Sequence, residues 1–197
     1  MSTRGLYAIR KGGIDKGVYN HSDSYPDGLG RDIIEFCKLH TIEELNTFYL
    51  LTNLINSDSI PTPEQIKICK DNGYANFSVS TGKEDDWYCL LRNLMGNFNA
   101  YSRAVDNNKQ IYMEDGIDFI KDSLFCEYAY IINLDDETLE FYLGFQDQPD
   151  PSNRYGKEPN DSGYYPCKLV MTTILTDLTK IKTKTLIDEM NMLAKNN

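Results

Sequence analysis

Glu127-Tyr128-Ala129-Tyr130-Ile131-Ile132-Asn133-Leu134-Asp135-Asp136-Glu137-Thr138-Leu139-Glu140-Phe141-Tyr142-Leu143-Gly144-Phe145 reads with a period of two. Tyr128, Tyr130 and Ile132 alternate with Ala129 and Ile131. Asp135-Asp136-Glu137 turns the chain, and Leu139, Phe141, Leu143 and Phe145 resume on alternate positions around Glu140 and Tyr142. Alternation places successive side chains on opposite faces of a sheet, so the segment predicts a β-hairpin, the strongest in the chain.

A second hairpin is expected at the N-terminus. Leu6–Arg10 and Gly17–Asn20 are short runs with β-branched and aromatic residues, and Gly12-Gly13 between them supply the positive φ of a tight reversal. Loop chemistry follows from His21 to Gly30 and leads into a helical pattern with Ile33, Ile34, Cys37 and His40 on one face.

Thr41-Ile42-Glu43-Glu44 has the spacing of a capping box, and the stripe Ile42, Leu45, Phe48, Tyr49, Ile55 predicts a second helix with Thr52 on its face. Thr62-Pro63-Glu64-Gln65 opens a third, stopped at Gly73. Thr81-Gly82-Lys83-Glu84 precedes a fourth stripe, Trp87, Leu90, Leu91, Leu94, which reads as core. Tyr164–Met171 is expected as a returning strand, and Leu178, Ile181, Thr185, Leu186, Met190 and Leu193 outline a closing helix. The fold expected is α+β, an antiparallel sheet built from the N-terminal and central hairpins and packed with about five helices. At 197 residues, 41% of them hydrophobic, the chain suits a single domain over 1–197. Gln146–Gly163, rich in Asp, Pro, Asn and Gly, is longer than an ordinary connection and is either a flexible loop or a functional one.

No apolar run approaches the roughly 18 to 20 residues that cross a bilayer, and no apolar segment follows the charged start, so the expectation is a cytoplasmic protein with no membrane partner. Cys37, Cys69, Cys89, Cys126 and Cys167 are odd in number and sit in apolar stretches, as reduced core thiols do. With His21 and His40 the only histidines and no Cys-x-x-Cys pair, neither a metal nor a cofactor is expected.

A net charge of −10 opposes binding to nucleic acid. Its distribution is uneven: residues 1–40 carry six Lys/Arg and five Asp/Glu, so the remainder carries 14 and 25. Within that least acidic segment lie the candidate ligand-binding residues Arg4, Arg10, Tyr19, His21, Asp23, Ser24, Tyr25, Gly28, Gly30 and Arg31. Glycines before a helix let the backbone approach a ligand, and the amides of the first turn favour an anion. Gly28 and Gly30 serve equally well simply to turn the chain. If the two N-terminal strands pair, Arg4 and His21 meet at one end of the hairpin, and the helix entrance at Gly30 and Arg31 is expected to face that end.

Two enzymatic readings compete with ligand binding. His21, Asp23 and Ser24 are the residue types of a hydrolytic triad, although neighbours in a loop more often bond their own backbone. Removal of Met1 would expose Ser2, or after trimming Thr3, as an amino-terminal nucleophile. Tyr25, Tyr101, Tyr155 and Tyr164, with Arg103 and Arg154, offer stacking and charge for a nucleobase or ribosyl phosphate, or are ordinary strand and surface residues.

Thr3-Arg4-Gly5-Leu6-Tyr7 and Tyr19-Asn20-His21-Ser22-Asp23-Ser24-Tyr25-Pro26-Asp27-Gly28-Leu29-Gly30 resemble an uncharacterised family of fungi, bacteria and phages with a T-R-G-L-Y opening and a Y-N-H-x-D-S-Y-P-x-G-L-G motif. The resemblance extends to Asp122–Tyr128 and Gly163–Cys167 and brings no activity or catalytic assignment. Together with the charge contrast it raises the expectation of a phage or prophage protein that sequesters a host immune signalling molecule, a counter-defence role. The leading expectation is thus a small-ligand binding protein for a nucleotide-like or anionic metabolite, with a homo-oligomer left open. The alternatives are a hydrolase and an inhibitor that blocks another protein through its acidic surface.

Overall fold

A computed structural model describes residues 3–197. The central strands β5 (Tyr128–Asn133) and β6 (Thr138–Leu143) pair antiparallel, Tyr128 opposite Leu143 and Asn133 opposite Thr138. The N-terminal strands β1 (Gly5–Lys11) and β2 (Ile14–Asn20) pair antiparallel from Gly5–Asn20 to Lys11–Ile14. Their turn is the two-residue link Gly12-Gly13, with φ of 60° and 76°, the left-handed pair that matches the twist of a tight hairpin. It is shorter than the six-residue reversal read from the sequence.

With β7 (Lys168–Ile174) the sheet runs β2-β1-β5-β6-β7. The fold is α+β and the sheet mostly antiparallel, but β1 and β5 are parallel, Gly5 opposite Tyr128 and Arg10 opposite Asn133. Because β2 runs antiparallel to β1, Asn20 at its end and Tyr128 at the start of β5 both lie beside Gly5, so the helical segment between β2 and β5 leaves and re-enters the sheet at the same end. The expected strand at Tyr164–Met171 begins four residues later.

Six α-helices occur among the described residues: α1 (Arg31–Leu39), α2 (Ile42–Leu51), α3 (Pro63–Asp71), α4 (Trp87–Leu91), α5 (Phe98–Asp106) and α6 (Thr183–Lys195). The capping boxes at Thr41/Glu44 and Thr62/Gln65 form as the spacing required. Three boundaries differ from the sequence reading. Helix α2 stops at Leu51, because Thr52–Ile55 becomes strand β3 and pairs parallel with β4 (Ile111–Glu114). Helix α4 is capped by Asp86, not Thr81; the Thr81 hydroxyl donates to Asp86 instead. The closing segment splits into a 3-10 turn over Leu175–Lys180 and α6 from Thr183. Helix α5, capped by Asn97, was not foreseen.

The sheet has two buried faces. Tyr7, Ile9, Tyr130, Ile132, Leu139 and Phe141 point into the main core with α1, α2, α5 and α6. Leu6, Ala8, Ala129, Ile131 and Tyr142 point the other way, onto Ile120, Cys126, Cys167 and Tyr155. The long loop therefore has a structural role: it covers this second face. Arg154 in the loop bonds Glu140 on β6, and Asn160 donates to Asp122. The five cysteines are buried and unpaired. No helix among the described residues is long and apolar enough to cross a membrane.

Candidate functional site

The register that sets Gly5 opposite Asn20 places the backbones of Arg4 and His21 at the same end of the hairpin, and the arginines among the candidates are each engaged by local partners. Arg4 lays its guanidinium over the Phe125 ring at 4.5 Å, and its amide bonds the Glu127 carboxylate at 3.2 Å. Arg10 is at the far end of β1, about 20 Å away at the rise of an extended strand. There it pairs with Asp15 at 2.7 Å. Arg31 pairs with Asp27 at 3.0 Å on the exposed face. Lys16 donates to the carbonyls of Tyr49 and Thr52 at the end of α2. The cations of the least acidic segment are thus engaged in holding the fold.

The helix entrance is likewise closed on itself. The amides of Gly28 and Gly30 bond the Tyr25 carbonyl, and that of Leu29 bonds the Asp23 carbonyl. A methyl group at Gly28 would lie 2.1 Å from the Asp23 carbonyl oxygen, and one at Gly30 would lie 2.9 Å from the Tyr130 hydroxyl. These glycines permit close packing of protein on protein, the plainer of the two readings. Asp23, with φ of 56°, shapes the bend that Leu29 bonds. Tyr25 is 40% exposed.

Ser24 does not offer a nucleophile. It is fully buried, its hydroxyl receives the Asn20 side-chain amide at 2.7 Å, its carbonyl receives the Tyr130 hydroxyl at 2.9 Å, and its amide donates to Thr3. The expectation for Ser2 lies outside the described residues. Of the tyrosines and arginines named for stacking, Tyr101 is buried against Tyr7, with 2.6 Å between hydroxyls. Arg154 is paired with Glu140, and Tyr155 packs on Tyr142. Arg103 of that set lines a cleft.

Two of the candidates, Tyr19 and His21, do open onto a cleft of about 570 Å³ with Asn20 and Ser22. Its opposite wall comes from α4 and the chain after it, Tyr88, Arg92, Met95 and Gly96, and its floor from Glu114–Gly116. Gly116 sits where a side chain would strike the Tyr19 amide at 2.8 Å, so a glycine is what lets this floor meet β2. The Gly96 amide donates to the buried Tyr7 hydroxyl at 3.0 Å, which ties the cleft wall to the core. Asn20 fixes the loop by donating to the Ser22 carbonyl and to Ser24.

Tyr19 and Tyr88 are 40% and 47% exposed, so both rings are partly open where they line the cleft. The Tyr19 ring is held edge-on to Phe119 at 4.8 Å, and its hydroxyl is 3.1 Å from His21 Nδ1. Arg92 lies 5.9 Å over the Tyr88 ring and has no ion pair among the described residues. The α4 cap keeps these two residues in place. Asp86 receives Thr81, Ser80 and the Tyr88 amide, and those bonds, Thr81 first, pull its carboxyl down to about 2.

The sequence singled out the β2 side of this cleft and missed the α4 side. Trp87, Leu90, Leu91 and Leu94 marked the helix as core, and the signal overlooked was the polar face between them, Tyr88 and Arg92, four residues apart. In comparisons with models of protein families, with curated proteins and with solved structures, the chain matches none.

Proposed function

We propose that this chain is a small-ligand binding protein that holds the ring of a polar, nucleoside-like metabolite in the cleft between β2 and α4. One observation carries the reading: two half-exposed tyrosine rings and an unpaired guanidinium line the same cleft of about 570 Å³, a volume in the range of small-molecule sites. Tyrosine faces accept any planar ring, a guanidinium stacks on or bonds it, and the Glu114 and Asp115 carboxylates suit hydroxyl or amino donors at its edge. The same walls disfavour the triad reading, because the Ser24 hydroxyl is buried and already bonded outside them. Sequestration of a signalling molecule in a counter-defence role is consistent with a binding site of this kind and follows only if such a molecule binds.

Calorimetry and thermal shift against ribonucleosides, cyclic nucleotides and ADP-ribosyl compounds test the reading. At least one class should stabilise the protein and be recovered chemically unchanged after incubation. Tyr19→Ala and Tyr88→Ala should each weaken it about tenfold, the scale of one lost stacking contact. No stabilisation by any of them, or full affinity in both variants, would overturn the reading; a converted ligand would replace binding by turnover.

A further inference from the structure

A second, larger cleft, about 760 Å³, adjoins the first. It lies between the C-terminal end of α3, the chain after α4 and the end of α5, and Arg92 and Met95 border both clefts. Its walls carry Arg92, Arg103 and Lys109 against a single carboxylate, Asp71. Asp71 is held by Lys67, whereas none of the three cations has an ion pair among the described residues. That is a concentration of unpaired positive charge on a protein whose net charge is −10.

The neighbouring asparagines do not account for the cleft as a neutral polar groove. Asn93 donates its amide to the carbonyls of Gly73 and Ala75, Asn97 to Asn93 and Asn107 to Arg103, so they build the wall and leave the cations as its outward donors. A purely structural role for the cations is to face the carbonyl ends of α3 and α5, each worth about half a negative charge. Two such ends amount to about −1 against three full positive charges, which leaves an excess of about two.

We infer that this second cleft is a polyanion subsite, taking a chain of two or more phosphates. Its ligand is a nucleoside polyphosphate whose ring occupies the Tyr19–Tyr88 cleft and whose phosphates cross Arg92 onto Arg103 and Lys109. The ring assignment rests on the reading given above; the phosphate assignment does not. The division of labour follows from charge. Glu114 and Asp115 on the ring side repel phosphate, while Arg92 on the shared border attracts it in either direction. Because all three cations are exposed, each bond is screened, and the affinity falls as salt is added.

Titration calorimetry on the full chain, without divalent cations and at two salt concentrations, tests this with inorganic tripolyphosphate, the four ribonucleosides and their triphosphates. Tripolyphosphate should bind, and more weakly at higher salt. The double variant Arg103→Ala/Lys109→Ala, with an unchanged melting temperature, should lose about a hundredfold for tripolyphosphate and for the best triphosphate, about tenfold per cation, and bind the corresponding nucleoside as before. Tyr88→Ala should weaken the nucleoside and its triphosphate and leave tripolyphosphate unaffected. No binding of tripolyphosphate, or equal binding by the double variant, overturns the phosphate subsite. A triphosphate no tighter than tripolyphosphate overturns the bridging of the two clefts. Loss of nucleoside binding alone, with tripolyphosphate still dependent on Arg103 and Lys109, removes the ring reading and leaves the phosphate subsite standing.

Discussion

Arg154 reaches out of the long loop and grips Glu140 in the middle of β6 with both terminal nitrogens, Nη1 to Oε1 at 2.8 Å and Nη2 to Oε2 at 2.5 Å. Glu140 is 3% exposed, and Asn133 and the Tyr142 hydroxyl donate to its remaining lone pairs. A carboxylate buried in a sheet is tolerable only when every acceptor site is met, as here. The same guanidinium lies 5.5 Å over Tyr142 and 5.0 Å over Tyr155. One side chain therefore fastens the loop to the sheet by charge, by hydrogen bonds and by ring contact.

Breaking this clamp from the loop side should strand the Glu140 carboxylate. Arg154→Ala is expected to destabilise the fold by about 2 to 3 kcal/mol, below the full value for a buried pair because Arg154 is a quarter exposed. Proteolysis within 146–163 should accelerate in parallel. The pair also sets an acid limit. Burial pushes the Glu140 carboxyl up, but Arg154, Asn133 and Tyr142 together outweigh it and hold the group below its ordinary 4.5. A depressed carboxyl contributes stability that is complete above the unfolded value and is lost as pH falls through the folded one. Chemical denaturation of the wild type at successively lower pH should show this loss below about pH 4.5, and Glu140→Gln should remove that component. An identical acid profile in Glu140→Gln would exclude Glu140 as its source.

The central hairpin was legible because two runs of β-forming residues, Tyr128–Asn133 and Thr138–Leu143, flank the turn chemistry of Asp135-Asp136-Glu137. Strand β3 was not, because Thr52 and Ile55 continue the apolar stripe of α2 and only a partner distant in sequence, β4, draws them out of the helix. Helix α5 was marked by Asn97 as a cap and by Phe98, Tyr101, Ala104 and Val105 on one face, a signal present but unread. The site was half legible for a related reason. Tyr19 near the end of β2 and His21 in the polar loop after it invite attention; Arg92, Arg103 and Lys109 come from separate elements, and nothing in the linear order says that α3, α4 and α5 end around one cleft.

Asp86 links stability to the proposed ring cleft, since it caps the short helix that carries Tyr88 and Arg92. Asp86→Ala removes the acceptor for the Tyr88 amide and for the Thr81 and Ser80 hydroxyls, and should cost about 1 kcal/mol. Asp86→Asn keeps an acceptor and should recover most of that loss. Ligand affinity should fall in Asp86→Ala and recover in Asp86→Asn, while substitution of the equally good cap Thr62 on α3 should lower stability alone. Equal losses of affinity in the Thr62 and Asp86 variants would mean that binding tracks general stability, not the position of α4.

The glycines of the helix entrance separate two accounts of the segment from Asp23 to Arg31. If Gly28 and Gly30 existed to let a ligand approach the backbone, alanine there would weaken binding at constant stability. The geometry predicts the reverse. At Gly30 the new methyl meets Tyr130, whose ring is fully buried and whose hydroxyl is committed to the Ser24 carbonyl, so Tyr130 must shift within the core. Gly30→Ala should therefore destabilise by about 1 to 3 kcal/mol, the range for overpacking. Gly28→Ala should be worse, because a contact of 2.1 Å with a backbone oxygen cannot be relieved by a side-chain rotation and must unfold the bend at Asp23. Arg4→Ala, which removes only the cover over Phe125, should cost about 0.5 to 1 kcal/mol and leave affinity for nucleosides and tripolyphosphate where it was. Melting temperatures and calorimetric affinities for the three variants decide the matter, and an Arg4→Ala protein that is as stable as wild type yet binds tenfold more weakly would return the ligand to the N-terminal segment.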